Sequence, residues 1–259
     1  LCLSCKACKG ECPARVDMAK LKSEYLFQTR GMGSYVKSWH IRHLGGILKL
    51  GSQMPNAFNF LQGLWLSRKF IGLERRLPLL QKELLSDWWS DNKLEQNNHD
   101  VTVWVIADFF TQYYDVDIGR DMLNLLKKCK VNIRVIFPKV SIVAMISYGF
   151  LDEAKDGLKA LYNQLDNISK NDIIVGIEPS EVLVWRDEAK SLFNGNLLNV
   201  LLFEEMLLKL DLLSVLPKFN AIQSKVWVYE HCHQKALTTT ESLIKSIKLI
   251  PEIQFEIIE

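Results

Sequence analysis

The sequence predicts an α/β protein in which a helical, cysteine-bearing segment precedes a domain of mainly parallel strands. From residue 101 onward, short apolar runs rich in Val and Ile alternate with longer segments of helical periodicity. The polar stretch at 90–100 separates this region from a front part rich in Trp, Leu, Phe and Arg. Hydrophobic residues make up 48% of the 259 residues, enough for a substantial core. We therefore predict two domains, at 1–99 and 100–259.

Helices are predicted through most of the first domain. Residues 13–30 begin with Pro and carry apolar side chains at roughly helical spacing, which predicts a helix leaving the cysteine-rich start of the chain. Gly and Pro residues interrupt 35–90, so we expect short helices wrapped round the cysteines. The stretch at 90–100 has almost no apolar content and is the predicted linker.

The second domain alternates strands with helices. We predict strands at 101–109, 131–137, 172–179, 224–231 and 253–258, and helices at 115–130, 150–165, 180–193, 196–216 and 234–250. The tripeptide Val103-Trp104-Val105 recurs as Val226-Trp227-Val228, and each copy precedes a turn and a helix. This echo indicates an internal duplication.

Charge is distributed unevenly along the chain. The net charge is +2, but residues 1–99 carry +7 and residues 100–259 carry −5. The basic front part could face acidic lipid head groups or an acidic partner domain; an evenly solvated surface is the alternative. No apolar run approaches the length of a membrane-spanning helix. We expect a cytoplasmic location, with peripheral attachment at the inner face of the membrane as an option, and no nucleic-acid partner.

Cysteine usage points to a reducing compartment. Four of the six cysteines are clustered, whereas Cys129 and Cys232 are isolated, which is unlike the framework of a secreted disulfide-rich protein. The sequence begins at Leu1, directly against the cysteine cluster, and stops inside a predicted strand. We therefore expect it to be a piece of a longer polypeptide.

The cysteine cluster predicts an iron–sulfur site. Its spacing is Cys2-x-x-Cys5-x-x-Cys8-x-x-x-Cys12-Pro. In two-cluster ferredoxin-type sites, the first three cysteines of such a run bind one [4Fe-4S] cluster and the fourth binds its neighbour. A zinc site is the alternative. Lys6, Lys9 and backbone N–H groups are expected to donate toward the cluster sulfurs.

A second group of candidate ligands lies near the end of the chain. His231, Cys232 and His233 stand between a predicted strand and a predicted helix, a usual place for ligands in open α/β sheets. We predict Cys232 as a metal ligand and both histidines as residues that orient ligands. The alternative is a buried cysteine beside partly exposed histidines.

A third candidate follows the strand at 172–179. Glu178 is predicted to orient a ligand or a cluster cysteine, with Ser180 as the N-cap of the next helix. The alternative is a structural role for the whole stretch, through that cap and a surface pair between Arg186 and Asp187.

Together these motifs resemble a known family. They are CLSCKACKGECP, DFFTQYYDVDIGR, ISYGFLDEAK, GIEPSEVLVWRDE and HCHQKAL. They are similar to the C-terminal iron–sulfur half of FAD-linked 2-hydroxy-acid dehydrogenases. That group includes D-lactate and D-2-hydroxyglutarate dehydrogenase-like fusions, and it is related to the iron–sulfur subunits of glycolate oxidase, anaerobic glycerol-3-phosphate dehydrogenase and heterodisulfide reductase.

The resemblance implies a function and a set of partners. An N-terminal flavin domain of the same polypeptide would hold FAD and oxidise the hydroxy acid. A ferredoxin-like module would then carry electrons toward an acceptor such as a quinone. A duplicated cysteine-rich α/β domain would follow, each half marked by one Cys and, about thirty residues later, Cys-Cys-Gly.

The chain departs from the family pattern in its ligand set. The family has an earlier cysteine run, which is absent here, so Cys2, Cys5 and Cys8 lack a fourth thiolate and Cys12 points to a cluster with no other ligand in this chain. Alignment of the first half puts Asp108 at the leading Cys and 140–142 at Cys-Cys-Gly, so we expect no cluster there. In the second half Cys232 matches the leading Cys, and the sequence stops just before Cys-Cys-Gly is due.

We therefore expect an electron-transfer module from an FAD-linked oxidoreductase that is not catalytic by itself. Two alternatives remain open at this point. One is a structural or docking domain whose metal sites have degenerated, with the basic front part contacting a membrane surface or a partner. The other is a zinc-stabilised module.

Overall fold

The computed structural model describes residues 2–29, 35–64, 76–92, 99–165, 168–193 and 197–258. Among these residues, a four-stranded parallel sheet forms the centre of the molecule. Its strands are β1 (Thr102–Ile106), β2 (Asn132–Ile136), β3 (Ile173–Gly176) and β4 (Val200–Leu201), in the spatial order β2-β1-β3-β4. The order reverses between β1 and β3. Ligand sites in such sheets open at the carboxyl ends of the strands at this reversal.

Helices cover both faces of the sheet. They are α7 (Phe109–Tyr113), α8 (Val116–Lys128), α9 (Ile142–Ser147), α10 (Leu151–Gln164), α11 (Pro179–Val184), α12 (Ala189–Leu192) and α13 (Phe203–Leu212). Val103 and Val105 of β1 are fully buried on one face, in a cluster with Leu123 of α8. Ile106 belongs to the cluster on the other face, with Leu158 of α10. This alternation follows from the two-residue period of a strand, and it gives the sheet a core on each side.

The front part of the chain consists of short helices that pack on this layer. They are α1 (Ala7–Glu11), α2 (Met18–Gln28), α3 (Tyr35–Arg42), α4 (Leu44–Gly51), α5 (Pro55–Gly63) and α6 (Leu85–Asn92). Leu85 of α6 is fully buried in the same cluster as Val103, and Leu48 of α4 packs in a cluster with Phe109 of α7. The two predicted domains therefore share buried surface.

Close packing of α2 on the α/β layer depends on one glycine. Gly149, between α9 and α10, has φ +74°, which L side chains rarely adopt. A Cβ added there would lie 2.6 Å from the Cβ of Leu26 and 2.8 Å from the backbone N of Phe27. Glycine thus allows the α2 backbone to touch the turn.

A second, smaller parallel sheet follows. It pairs β5 (Lys225–Tyr229) with β6 (Gln254–Ile258), and α14 (Cys232–Leu237) and α15 (Glu241–Ile247) connect the two strands. Both strands are much more exposed than the central ones, since Trp227 and Tyr229 keep 61% and 67% of their surface accessible. The helix α15 packs against α13 and joins this sheet to the rest of the molecule.

The predicted fold class is confirmed, because the structure is mixed α/β with parallel strands. Three predicted helices differ in detail. The range 196–216 was expected to be helical, but Val200 and Leu201 pair with β3 before α13 begins. Residues 185–188 are turns that break the predicted helix 180–193, and residues 238–240 separate α14 from α15. Apolar runs alone do not separate a two-residue strand from a helix.

Two other expectations have a limited test. Residues 93–98 of the predicted linker lie outside the described residues. The boundary near residue 99 stays a prediction. Within the part of the chain that the structure describes, no helix is both long enough and apolar enough to cross a bilayer.

Candidate functional site

The cysteine run forms an open loop that continues into α1. Cys8 lies in α1 and Cys12 ends it, with the Cys12 N–H donating to the Cys8 carbonyl at 2.9 Å. Ser4 and Lys6 have φ of 58° and 63°, in the left-handed region that favours glycine. These two residues alternate with Cys5, so the loop turns sharply around that cysteine.

The lysines of the loop do not face the cysteines. The Nζ of Lys6 lies 2.5 Å from Asp187 Oδ2 and also bonds Glu188 Oε1, and Lys6 is only 2% exposed. The Nζ of Lys9 lies 2.7 Å from Asp187 Oδ1. The expectation that Lys6 and Lys9 donate toward cluster sulfurs is therefore wrong in this arrangement. Both amines are taken by acids from the turn between α11 and α12.

Electrostatics within this group favour the charged forms. Burial raises the pKa of Asp187, but hydrogen bonds from Lys20, Lys6 and Lys9 outweigh burial and hold that pKa well below its usual range. Burial lowers the pKa of Lys6, but the charges of Glu188 and Asp187 outweigh this and raise it. Asp187 also does not pair with Arg186, as the sequence suggested, because Arg186 bonds Glu205 instead.

The second predicted group lies against the cysteine loop. At the start of α14, the Nε2 of His233 donates to the Ser4 carbonyl at 2.8 Å, and His233 is 8% exposed. The His233 N–H donates to Nδ1 of His231 at 3.2 Å, so His231 is the N-cap of α14. His233 thus holds the backbone between Cys2 and Cys5, and His231 caps α14; the role of both histidines in orienting metal ligands stays a prediction.

Glu178 completes this side of the site. It is the N-cap of α11 and accepts from Ser180 Oγ at 2.9 Å, so the cap is Glu178 rather than the predicted Ser180. Its Oε1 lies 3.4 Å from Nε2 of His231. Burial and the neighbouring His233 lower the pKa of His231, while Glu178 partly offsets them, so the imidazole is neutral at pH 7. Neutral imidazoles can both accept and donate, as this chain of contacts requires.

Cys232 and Cys5 lie close enough to influence each other. Burial raises the pKa of the Cys232 thiol, and the charge of a Cys5 thiolate adds to that rise. Cys232 is exposed, whereas Cys5 is partly buried. The contacts of α1 with α14 therefore join the two predicted ligand groups into one site.

The thiols fit iron–sulfur ligation in their chemistry, although not in their number. Cys2, Cys5, Cys8, Cys12 and Cys232 are all free and none is fully buried. Backbone N–H groups of residues 14–16 lower the pKa of the Cys12 thiol, as expected for a thiolate ligand. Among the described residues, however, no three His, Cys, Asp or Glu side chains are gathered as a metal site. Any cluster held here needs further ligands or a shift of the loop.

The carboxyl ends of β1 and β3 form a separate polar site. Asp108 is 4% exposed and accepts from the Thr111 N–H at 3.0 Å and from Thr111 Oγ1 at 2.8 Å. Ser141 Oγ donates to Glu181 Oε1 at 2.5 Å. Asp108 and Glu181 line the same cavity of about 20 Å³, which is room for one water molecule. Of the two positions aligned with family cysteines, Asp108 lines this cavity, whereas Ser141 is joined to it through its bond to Glu181.

Burial dominates the ionisation of both acids. It raises the pKa of Glu181 to about 7 against the opposing bond from Ser141, and the negative charge of Asp108 adds to the rise. Burial also raises the pKa of Asp108, although bonds from Thr111 oppose it. Two like charges in one closed space disfavour double ionisation.

Sequence reasoning missed the acids that contact the cysteine loop and the acid of the cavity. Asp187 and Glu188 looked like ordinary surface charges, and Glu181 was not singled out. One signal was present, since Asp187 and Glu188 follow the apolar run at 182–185 without a turn residue between them. Acids next to such a run are half-buried or paired more often than those in a polar stretch.

Comparison with known proteins gives a partial likeness. The chain is 29% identical over 206 residues to the D-2-hydroxyglutarate dehydrogenase of Escherichia coli strain K12, covering 73% of this chain and 20% of that protein. It is 27% identical over 230 residues to the enzyme of the same name from Pantoea ananatis strain AJ13355, covering 80% and 22%. The corresponding Haemophilus influenzae protein is 24% identical over 209 residues, covering 73% and 20%.

The chain thus spans about a fifth of the length of the curated relatives it matches. No family model and no solved structure matches it. The relatives are dehydrogenases by name, and the likeness covers most of this chain but only a small region of theirs. The expected relationship to 2-hydroxy-acid dehydrogenases is confirmed at that level.

Proposed function

We propose that this chain is the iron–sulfur electron-transfer part of an FAD-linked 2-hydroxy-acid dehydrogenase. The observation that carries the proposal is the cysteine run, whose spacing suits a [4Fe-4S] site and whose loop lies against Cys232. The similarity to D-2-hydroxyglutarate dehydrogenases supports the same reaction class. By itself the chain would not oxidise a hydroxy acid.

The cysteine spacing indicates which residues would hold the clusters. Cys2, Cys5 and Cys8 would bind one [4Fe-4S] cluster, Cys12 would bind its neighbour, and Cys232 is an additional candidate ligand. A bound cluster supplies a one-electron carrier between a two-electron flavin and the next acceptor. The remaining thiolates would come from outside this sequence.

The protein groups around the thiols have separate tasks. His233 holds the Ser4 carbonyl, which fixes the turn that presents Cys5. Backbone N–H groups of residues 14–16 stabilise the thiolate of Cys12. Glu178 sets the position of His231, and through it the start of α14 and Cys232. These contacts orient ligands before any metal binds.

The partners of the module are part of the proposal. A flavin domain of the same polypeptide would bind FAD and deliver electrons, and a quinone or another acceptor would receive them. The protein would be cytoplasmic, with the front helices as the side that meets a membrane or an acidic partner. Support for this comes from three apolar side chains that are 68–69% exposed: Leu50 on α4, Met54 just before α5, and Phe60 on α5.

Metal and sulfide analysis of the full-length protein tests the proposal. After anaerobic purification we expect iron and acid-labile sulfide in equal amounts and broad visible absorption. Cys5→Ser should lose part of both, while the matched control Cys129→Ala, in the buried core, should keep them. A colourless protein with stoichiometric zinc would instead establish the zinc-stabilised module.

A docking role without redox chemistry is the second candidate. It is favoured by the two positions aligned with family cysteines, where Asp108 follows β1 and bonds Thr111, and Ser141 follows β2 and bonds Glu181. Under this candidate the full-length protein contains neither iron nor zinc in stoichiometric amounts.

A further inference from the structure

The buried carboxylate of Asp187 bonds three lysine amines. Its Oδ1 lies 2.6 Å from Lys20 Nζ and 2.7 Å from Lys9 Nζ, and its Oδ2 lies 2.5 Å from Lys6 Nζ. Asp187 is 7% exposed, and Glu188, equally buried, takes a second bond from Lys6. All these bonds connect residues at least 167 positions apart in the sequence.

Two of the three lysines lie inside the cysteine run, and the third follows it. Lys6 lies between Cys5 and Cys8, and Lys9 directly follows Cys8. Lys20 belongs to α2, the helix that leaves the run. One carboxylate therefore holds the middle of the loop and the helix after it.

The backbone of the loop needs such a restraint. Lys6 has φ 63° and Ser4 has φ 58°, and neither is glycine. Non-glycine residues in this region persist where surrounding contacts over-determine them, and such residues cluster at ligand-holding sites. Here the contacts come from two sides, since His233 holds the Ser4 carbonyl while Asp187 and Glu188 hold Lys6.

We infer that Asp187 and Glu188 are positioning residues that fix the loop of Cys5 and Cys8 on the α/β layer before a cluster binds. The inference rests on the proposed function, because it assigns these acids to the presentation of cluster ligands. They act through Lys6, Lys9 and Lys20 and do not touch the thiols. An ordinary buried ion pair would stabilise the fold without a particular effect on the cysteines.

The reactivity of the cysteines in the metal-free protein separates these two roles. The full-length protein is stripped of metal with a chelator and reductant, and iodoacetamide labelling of each cysteine is followed by mass spectrometry. For Asp187→Asn we expect Cys5 and Cys8 to be labelled about tenfold faster or more, because Lys6 keeps only one of its two carboxylates, Lys9 and Lys20 lose their bond to Asp187, and release of the loop is favoured. Asp187→Glu should restore much of the protection.

Two internal controls isolate the effect. Glu205→Gln removes the partner of Arg186, next to Asp187, and leaves the loop lysines paired. It should not change the labelling of Cys5 or Cys8. Buried Cys129 reports global unfolding, so its labelling should stay slow in all three variants. Equal acceleration of Cys5, Cys8 and Cys129, or none at all, would overturn the inference.

A second readout tests the link to the cluster. In the iron-loaded protein, Asp187→Asn should shift the EPR signal of the reduced cluster and speed cluster loss to a chelator, relative to Glu205→Gln. An unchanged EPR signal and unchanged loss rate would overturn the assignment to ligand presentation. If the full-length protein holds no iron, the proposed function fails, while the labelling result still decides whether Asp187 holds the loop.

Discussion

The carboxyl ends of β1 and β5 carry opposite kinds of polar site. After β1, Asp108 is buried, caps α7 by accepting from Thr111, and shares a mostly enclosed cavity with Glu181, which we call the closed site. After β5, His231 and Cys232 are open to solvent or to the cysteine loop. Both sites follow a parallel strand that contains Val-Trp-Val and both start a short helix. The first site is part of a core, and the second carries a partly exposed imidazole and an exposed thiol beside the cysteine loop.

The structure also gives an alignment of the two strand–turn–helix segments that contain Val-Trp-Val. Asp108 is the N-cap of α7 and His231 is the N-cap of α14, and each lies three residues after its Val-Trp-Val tripeptide. The structural equivalent of Asp108 is therefore His231, one residue before Cys232. A helix N-cap and a metal ligand need different side-chain directions, so a shift of one residue separates the two roles.

The largest effect is expected at the closed site, from Glu181→Gln. The pKa of Glu181 is raised from 4.5 to about 7 in the folded state, so the folded protein binds a proton that the unfolded chain releases above pH 4.5. Wild-type stability should therefore fall as the pH rises from 4.5 to 7 and then level off. The neutral Gln should be more stable than wild type at pH 8 by up to about 3 kcal/mol, and by only a few tenths near pH 4.5.

Urea unfolding of both proteins at pH 4.5 and pH 8 measures this difference. Glu178→Gln serves as the comparison, since it removes a carboxylate at the same end of β3 that does not line the cavity and is the smallest contributor to the raised pKa of Glu181. If Glu181→Gln lowers stability equally at both pH values, the site is an ordinary hydrogen-bonded surface and the contrast with β5 is lost.

Asp108→Ala should give the next largest effect. It removes the N-cap of α7 and leaves the Thr111 N–H and hydroxyl without their acceptor, at a cost of about 1–2 kcal/mol in the free energy of unfolding. Asp108→Asn keeps an acceptor and should cost less. Denaturant midpoints of the two variants test this, and equal midpoints would mean that the cap contributes nothing to the closed site.

At the open site, which follows β5, His233→Ala should lower the free energy of unfolding by about 1 kcal/mol. It removes the donor to the Ser4 carbonyl from a nearly buried position. His231→Ala removes a more exposed side chain whose contact with Glu178 is 3.4 Å long, and should cost less. Thermal unfolding compares the pair. A larger cost for His231 would place the main support of the cysteine loop at the N-cap instead.

The smallest effect is expected for Glu178→Gln, which should stay within about 0.5 kcal/mol of wild type. Its side chain is one-third exposed and faces a neutral imidazole, and Gln retains an acceptor for Ser180. The same urea titrations provide the value. A loss of more than about 1 kcal/mol in the free energy of unfolding would mean that the open site depends on the Glu178 carboxylate as strongly as the closed site depends on its own carboxylates.

Sequence patterns predicted the elements of the fold well, because each depends on local periodicity. The strands β1, β2 and β3 and the helix α8 were placed to within a few residues, whereas β4 was predicted as part of a helix. The sequence placed Glu178, His231 and Cys232 at strand ends, but it did not give the contact of Glu178 with His231 or the closeness of Cys5 to Cys232.

The ion pairs could not be predicted in the same way. Lys6 and Asp187 are 181 residues apart, and nothing in their spacing shows that they meet. The lysines were assigned to the cysteines because these are their sequence neighbours. Instead, the packing of α1 and α2 on the turn after α11 brings the lysines to Asp187 and Glu188. A buried amine is costly without a carboxylate partner, whereas a thiolate cluster does not need a lysine.

Because Lys6 is buried, a change of ionic strength distinguishes its ion pair from ion pairs at the surface. At 1 M salt the screening length is about 3 Å, so exposed pairs such as Lys245–Glu241 lose most of their attraction. The Lys6–Asp187 pair is excluded from the solvent that carries the ions, and it should persist. Under the proposed contact of the basic front helices with an acidic surface, a high-salt wash should release that contact while the Lys6–Asp187 pair stays intact.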